Sequence, residues 1–152
     1  MNQNQQKEFD PIRACTDTLY LDGNTEAATQ FSDEHLRIDD INFICSLHIK
    51  GSLGVRVDPE LLLEALNGSE TCCMEVLFYL ARVQVAKMDE PLILLSNKEL
   101  EKKEQGMKRM YWLIHALIKT DTSRAKLYLR GLKNKQFITE NPLLNQAVGT
   151  IS

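Results

Sequence analysis

No apolar run in this chain approaches the roughly 20 residues needed to cross a bilayer. The richest stretch, Met74 to Ala86, is broken by Glu75, Arg82 and Gln84. No glycine-rich loop of the phosphate-cradling kind occurs anywhere. Histidine appears only at 35, 48 and 115, and cysteine only at 15, 45, 72 and 73. These positions match no zinc pattern. Adjacent Cys72 and Cys73 are poorly placed to bridge each other, so reduced thiols in a reducing compartment are expected. The first eight residues are polar and lack the apolar core of an export signal. The expectation is a soluble, cytoplasmic protein, or one in the host cytosol if it is a translocated bacterial protein. No metal or cofactor is expected.

What is present is an uneven distribution of charge. Residues 1–76 hold five basic and fourteen acidic side chains, a net of −9, whereas residues 77–152 hold thirteen basic and seven acidic, a net of +6. The overall −3 conceals this polarity. Oppositely charged halves face each other or face a charged partner. Apolar content of 43% and charged content of 26% are those of a globular domain. A length of 152 residues suits one domain with a substantial core.

Start and stop signals along the chain are helical throughout. Residues 1–9 read as a flexible leader, and residues 10–150 as a single helical domain. Asp10-Pro11 opens a helix with Ile12, Cys15, Leu19 and Tyr20 on one face, ended by Gly23. A short helix is expected from Thr25 to Phe31. Ser32-Asp33-Glu34 opens another, carrying Ile38, Ile41, Cys45 and His48, with a loop at Gly51 to Gly54. Val55-Arg56-Val57 has an extended look but no partner strand. Asp58-Pro59-Glu60 opens a helix that Asn67-Gly68 closes. Ser69-Glu70 opens a central helix over about 70–88, apolar around most of its circumference and therefore buried on most sides. Pro91 to Leu95 fits either a helical turn or an extended connector. Ser96-Asn97-Lys98-Glu99 has the pattern of a capping box, predicting the longest helix over about 97–119, with Gly106 inside it at a cost of about 1 kcal/mol. Its stripe is Leu100, Met107, Tyr111, Ile114 and Ile118, widened by Met110 and Leu117. After a break at Thr120-Asp121-Thr122 comes a helix with Ala125, Tyr128, Leu129 and Leu132. A last one runs from Asn141-Pro142 to Gly149. The expected architecture is all-α: one compact, bundle-like domain of six to eight helices.

Four constellations invite a chemical reading. Between Lys98 and Lys135 there are eleven basic residues and four acidic ones. On two helices joined by a short break, they match in outline a helix-turn-helix reader of nucleic acid. The acidic total charge and a pI near 5.6 run against a dedicated phosphate binder. Asp33, Glu34, Asp39 and Asp40 lack calcium-loop spacing and read as helix-start acids that complement the dipole. Cys72 in a first helical turn has the placement of an activated thiol, yet apolar neighbours make Cys72 and Cys73 core residues. His48 and His115 have no carboxylate within reach on their own helices. Trp112 points about 140° from Met107 at 100° per residue. It is covered by neighbouring helices or serves as an exposed anchor.

The function expected from these features is a non-enzymatic protein–protein interaction module, an adaptor, inhibitor or translocated regulator. Lys108, Arg109, Trp112, Arg124 and Arg130 are its candidate contact residues. Its partner is another protein, with a homodimer joined through the opposite charges also open. A nucleic-acid-binding protein using the basic 98–135 arm and a cysteine-dependent enzyme are the alternatives.

Overall fold

Hydrogen-bonding caps mark where several helices begin. Asp58 accepts from the Glu60 N–H, Ser69 from the Cys72 N–H, and Thr122 from the Ala125 N–H. Proline stands in the first turn behind Asp58 and behind Asn141. The computed structural model describes residues 23–35, 41–102, 104 and 106–151. In chain order its helices are α1 (Thr25–His35), α2 (Ile41–Leu53), α3 (Pro59–Leu66), α4 (Glu70–Leu80), α5 (Asp89–Glu101), α6 (Met107–Thr120), α7 (Ser123–Leu132), α8 (Gln136–Thr139) and α9 (Pro142–Gly149). The all-α expectation holds, with nine helices among the described residues rather than six to eight. The leader, the helix expected from Asp10-Pro11 and residue Cys15 lie outside the described residues, as do Asp39 and Asp40.

Helix α6 is the hub and packs against α4, α5, α7 and α9. Met110, Leu113, Ile114, Ala116 and Leu117 are fully buried on it. Helix α4 shares the centre, as expected, but it does not run over the whole of 70–88. Helix α4 stops at Leu80, where the carbonyl of Tyr79 takes the N–H groups of both Arg82 and Val83 in a tight turn. The segment behind the turn buries the β-branched Val83 and Val85. It also brings the Gln84 amide to the carbonyls of Lys119 and Thr120, which the end of α6 leaves free. Tertiary capping thus takes residues 81–88 out of the helix that their apolar pattern suggests.

The single long helix expected over 97–119 is two helices, α5 and α6, and its capping box is not one. Ser96 is fully buried in the middle of α5 against Met110. The start lies seven residues earlier, at Asp89-Glu90-Pro91, whose acids complement the dipole. Residues 92–95 are therefore helical. Gly106 is the N-cap of α6 with extended backbone, not an interior helical glycine. Two further boundaries shift. Ser32-Asp33-Glu34 ends α1 instead of opening a helix, so these acids do not sit at a helix start. Helix α2 runs through Gly51 to Leu53 and stops at Gly54 (φ 71°). There the Val55 N–H bonds the Lys50 carbonyl and the Gly54 N–H bonds that of Gly51, the Schellman arrangement. Gly51 is in the helix for contact, not as a break. A Cβ there would lie 3.3 Å from the Tyr79 ring.

Helix α2 has two buried sides. Phe43 and Leu47 join the main core that runs to α9. Cys45 and Ile49 form a separate small cluster with Ala28 of α1, flanked by Leu53. Of the expected stripe Ile38–Ile41–Cys45–His48, Ile38 lies outside the described residues, and Cys45 and His48 face different neighbours, the first the α1 patch and the second Glu75 of α4. Cys45 is disulfide-bonded, a correction to the expected set of reduced thiols, since spacing along the chain does not report which sulfurs meet in space. Cys72 and Cys73 are buried free thiols. The 55–57 segment makes no ladder. The buried Tyr79 hydroxyl holds it, accepting from the Val57 N–H at 2.8 Å and donating to the Val55 carbonyl. Tyr79→Phe leaves two backbone groups without this partner and is expected to cost about 1–3 kcal/mol, read as a lowered urea midpoint. An unchanged midpoint would show that water replaces the hydroxyl.

Candidate functional site

The α5–α6 corner is built around one carboxylate. Glu99 is 2% exposed, and its Oε2 accepts the Gly106 N–H at 2.6 Å. Its Oε1 meets Lys102 Nζ at 2.9 Å and Arg109 Nε at 3.4 Å. A Cβ on residue 106 would come within 3.2 Å of Glu99 Oε2, so glycine permits this approach. Arg109, 18% exposed, reaches on to α4, donating to Glu70 Oε1 at 3.1 Å and to Cys73 Sγ at 3.2 Å. It therefore ties three helices together as well as lining a surface.

Beside this corner a groove of about 510 Å³ opens between α4 and α6. Met74 and Phe78 give it apolar surface, and Glu70, Glu75, Glu104, Lys102, Lys108 and Arg109 give it both signs of charge. Adjoining it is a set of half-buried rings. Phe78 meets Trp112 edge to face at 4.9 Å, Tyr111 meets Trp112 at 5.3 Å, and His115 lies 4.4 Å from Tyr111. Such edge contacts add about 0.5–1.5 kcal/mol each beyond burial. Trp112 thus resolves the two readings in part: α4 covers one side of it through Phe78, and it keeps exposed surface. Burial pushes the His115 imidazole below its ordinary pKa, favouring the neutral ring.

Behind the groove, Glu75 of α4 lies 4.0 Å from His48 Nδ1 of α2. Burial of the Glu75 carboxyl pushes it up to about 7, against the opposing pull of Arg82. Burial, then Arg82, pushes His48 down. At that separation burial outweighs pairing, and both groups favour their neutral forms. No signal in the sequence joins these residues, because they sit 27 positions apart on separate helices. Among the described residues no cluster of three or more potential ligands could hold a metal ion.

The five candidate contact residues divide. Lys108, Arg109 and Trp112 gather at the α4/α6 groove and its rings. Arg124 does not join them. It pairs with Glu90 at 3.2 Å, at the opposite end of α5 from Glu99, roughly 13 Å away at the helical rise. Arg130 lies exposed on the last turn of α7. The basic 98–135 arm is partly neutralised from within: Lys102, Arg109, Arg124 and Lys126 all pair with carboxylates. Of the ion pairs formed among these groups, Arg109–Glu70 is one that joins the acidic half to the basic half. Sequence reasoning missed Met74, Phe78 and Glu75 as groove residues, since an all-round apolar helix hides which side meets solvent.

Two outcomes follow from this geometry. Arg109→Ala strips a partner from a buried carboxylate and is expected to cost about 2–4 kcal/mol. Glu70→Gln, at an 80% exposed site, is expected to cost under about 0.5 kcal/mol. Chemical denaturation of the two variants reads the contrast. For Glu75, the folded state keeps a proton that the unfolded chain has released between its ordinary value of 4.5 and about 7. Stability contributed by this group therefore falls as pH rises through that window and levels above it. Glu75→Gln removes the dependence. The variant is expected to match the wild type near pH 4.5 and to exceed it by up to about 3 kcal/mol at about pH 8. Urea titrations across pH measure the difference, and a constant difference would contradict the assignment. Comparison with family models, with curated proteins and with solved structures finds no match to this chain.

Proposed function

We propose that this chain is a non-enzymatic protein–protein interaction module that receives a partner at the α4/α6 groove. The observation that carries the reading is the juxtaposition of half-buried Trp112, Tyr111 and Phe78 with a groove rimmed by Lys108 and Arg109. Tryptophan, tyrosine and arginine dominate the energetics of protein interfaces. Here their geometry is fixed before any partner arrives, by ring contacts and by the ion pairs of Arg109, which lowers the ordering cost of binding. Mixed charge around an apolar floor selects a partner by complementarity more than it adds affinity. Adaptor, inhibitor and translocated regulator all use a surface of this kind. The disulfide at Cys45 speaks against the expected cytoplasmic setting, and the buried thiols of Cys72 and Cys73 do not report a compartment. A homodimer is the second reading, favoured by the opposite net charges of the two halves. It appears in light scattering as a salt-sensitive doubling of mass.

Lys108 is exposed, so Lys108→Glu reverses rim charge without disturbing the core. Affinity capture from the native cell with wild-type and K108E baits tests the reading. The expected result is a protein retained by the wild type and bound about tenfold more weakly by K108E. A photo-crosslinker at position 108 should join it, and one at exposed Leu143 on α9 should not. Equal retention, with crosslinks only from position 143, would move the interface elsewhere.

A further inference from the structure

A second surface, separate from the α4/α6 groove, lies between α3 and α5. Leu63 and Leu66 of α3 face Pro91, Leu94 and Leu95 of α5 across a groove of about 380 Å³. Leu94 is 55% exposed, among the most exposed large apolar side chains described. A leucine so placed is half-finished packing: it contributes to a ridge but has no ridge opposite it. The charges around the groove are unequal. Lys87 and Lys98 line it against the lone carboxylate of Glu90, which is engaged with Arg124. Neither lysine makes an ion pair among the described residues, unlike Lys102, Arg109, Arg124 and Lys126. Lys87 is moreover held with φ 68°, a left-handed conformation that a lysine adopts at some cost. The apolar strip thus lies between two unneutralised cations, Lys98 on α5 and Lys87 in the turn just before its start.

We propose that the α3/α5 groove docks an amphipathic helix of a partner protein, whose apolar stripe covers Leu94 and whose acidic residues, one near each end, meet Lys87 and Lys98. Two helices with leucines lining a shared groove form a seat for a third helix. The cations at either end set which helices fit, because a basic or neutral end leaves them unpaired.

The test needs no knowledge of the natural partner. Peptides of about 16 random residues, displayed on phage, are selected on the full-length protein, and the recovered peptides are measured by fluorescence anisotropy. The expected consensus has apolar residues at three- and four-residue spacing with Asp or Glu near both ends. Leu94→Glu, and separately the K87E/K98E pair, should each weaken a recovered peptide by at least about tenfold. Lys108→Glu should leave it unchanged, which separates this site from the α4/α6 groove. All three changes fall on exposed side chains, and matching thermal melts confirm that the fold persists. Basic or uncharged consensus peptides, affinity unaffected by L94E, or a self-association of the protein that L94E abolishes would each overturn the proposal.

Discussion

A buried carboxylate cannot be left alone, and the demand of Glu99 for partners organises half of this molecule. Taking such a charge out of water costs several kcal/mol unless hydrogen bonds and countercharges replace the lost hydration. The Gly106 N–H, Lys102 and Arg109 supply them. Together they fold the α5–α6 corner, fix where α6 begins, and draw Arg109 onto α4. The groove at α4/α6 inherits its geometry from that corner, whose residues line it. Removing the glycine would push a Cβ into the carboxylate, and removing the arginine would leave a charge in the core.

This arrangement also explains why the charge pattern reads differently in three dimensions. The linear run of basic residues from Lys98 to Lys135 suggests a continuous cationic surface. Folding spends several of these charges on internal pairs and distributes them over separate faces. What remains for partners is local: Lys108 at one groove, Lys87 and Lys98 at another. Net charge of a segment is a poor guide to a surface when its charges meet partners elsewhere in the chain, as Arg109 meets Glu70 and Arg124 meets Glu90.

Local chemistry made much of the fold legible. Asp58-Pro59, Ser69 and Thr122 mark helix starts because side-chain caps act within three residues, and Asn141-Pro142 marks one through the fixed backbone of its proline. The failures are equally physical. Ser96 to Glu99 has the composition of a cap, but tertiary packing buries Ser96 and spends Glu99 on Gly106 and Arg109. Residues 81–88 have a helical pattern, but the end of α6 needs Gln84. Gly51 resembles a loop glycine, yet it is where α2 touches Tyr79. Trp112 was visible as a candidate by its position on the wheel. Its partner Phe78, and the meeting of His48 with Glu75, depend on how α2, α4 and α6 cross, which no periodicity within one helix encodes.

The two-sided burial of α2 has a consequence for motion. Among the described residues, Ala28, Cys45 and Ile49 form a buried patch between α1 and α2 that is separate from the main core. The α1 layer is therefore expected to open as a cooperative unit of its own, exchanging its amide hydrogens through a sub-global fluctuation while α4 and α6 stay shut. Lifting it would bare the outer side of α2 without disturbing either groove, so the molecule has a removable cover on one flank and a permanent framework on the others.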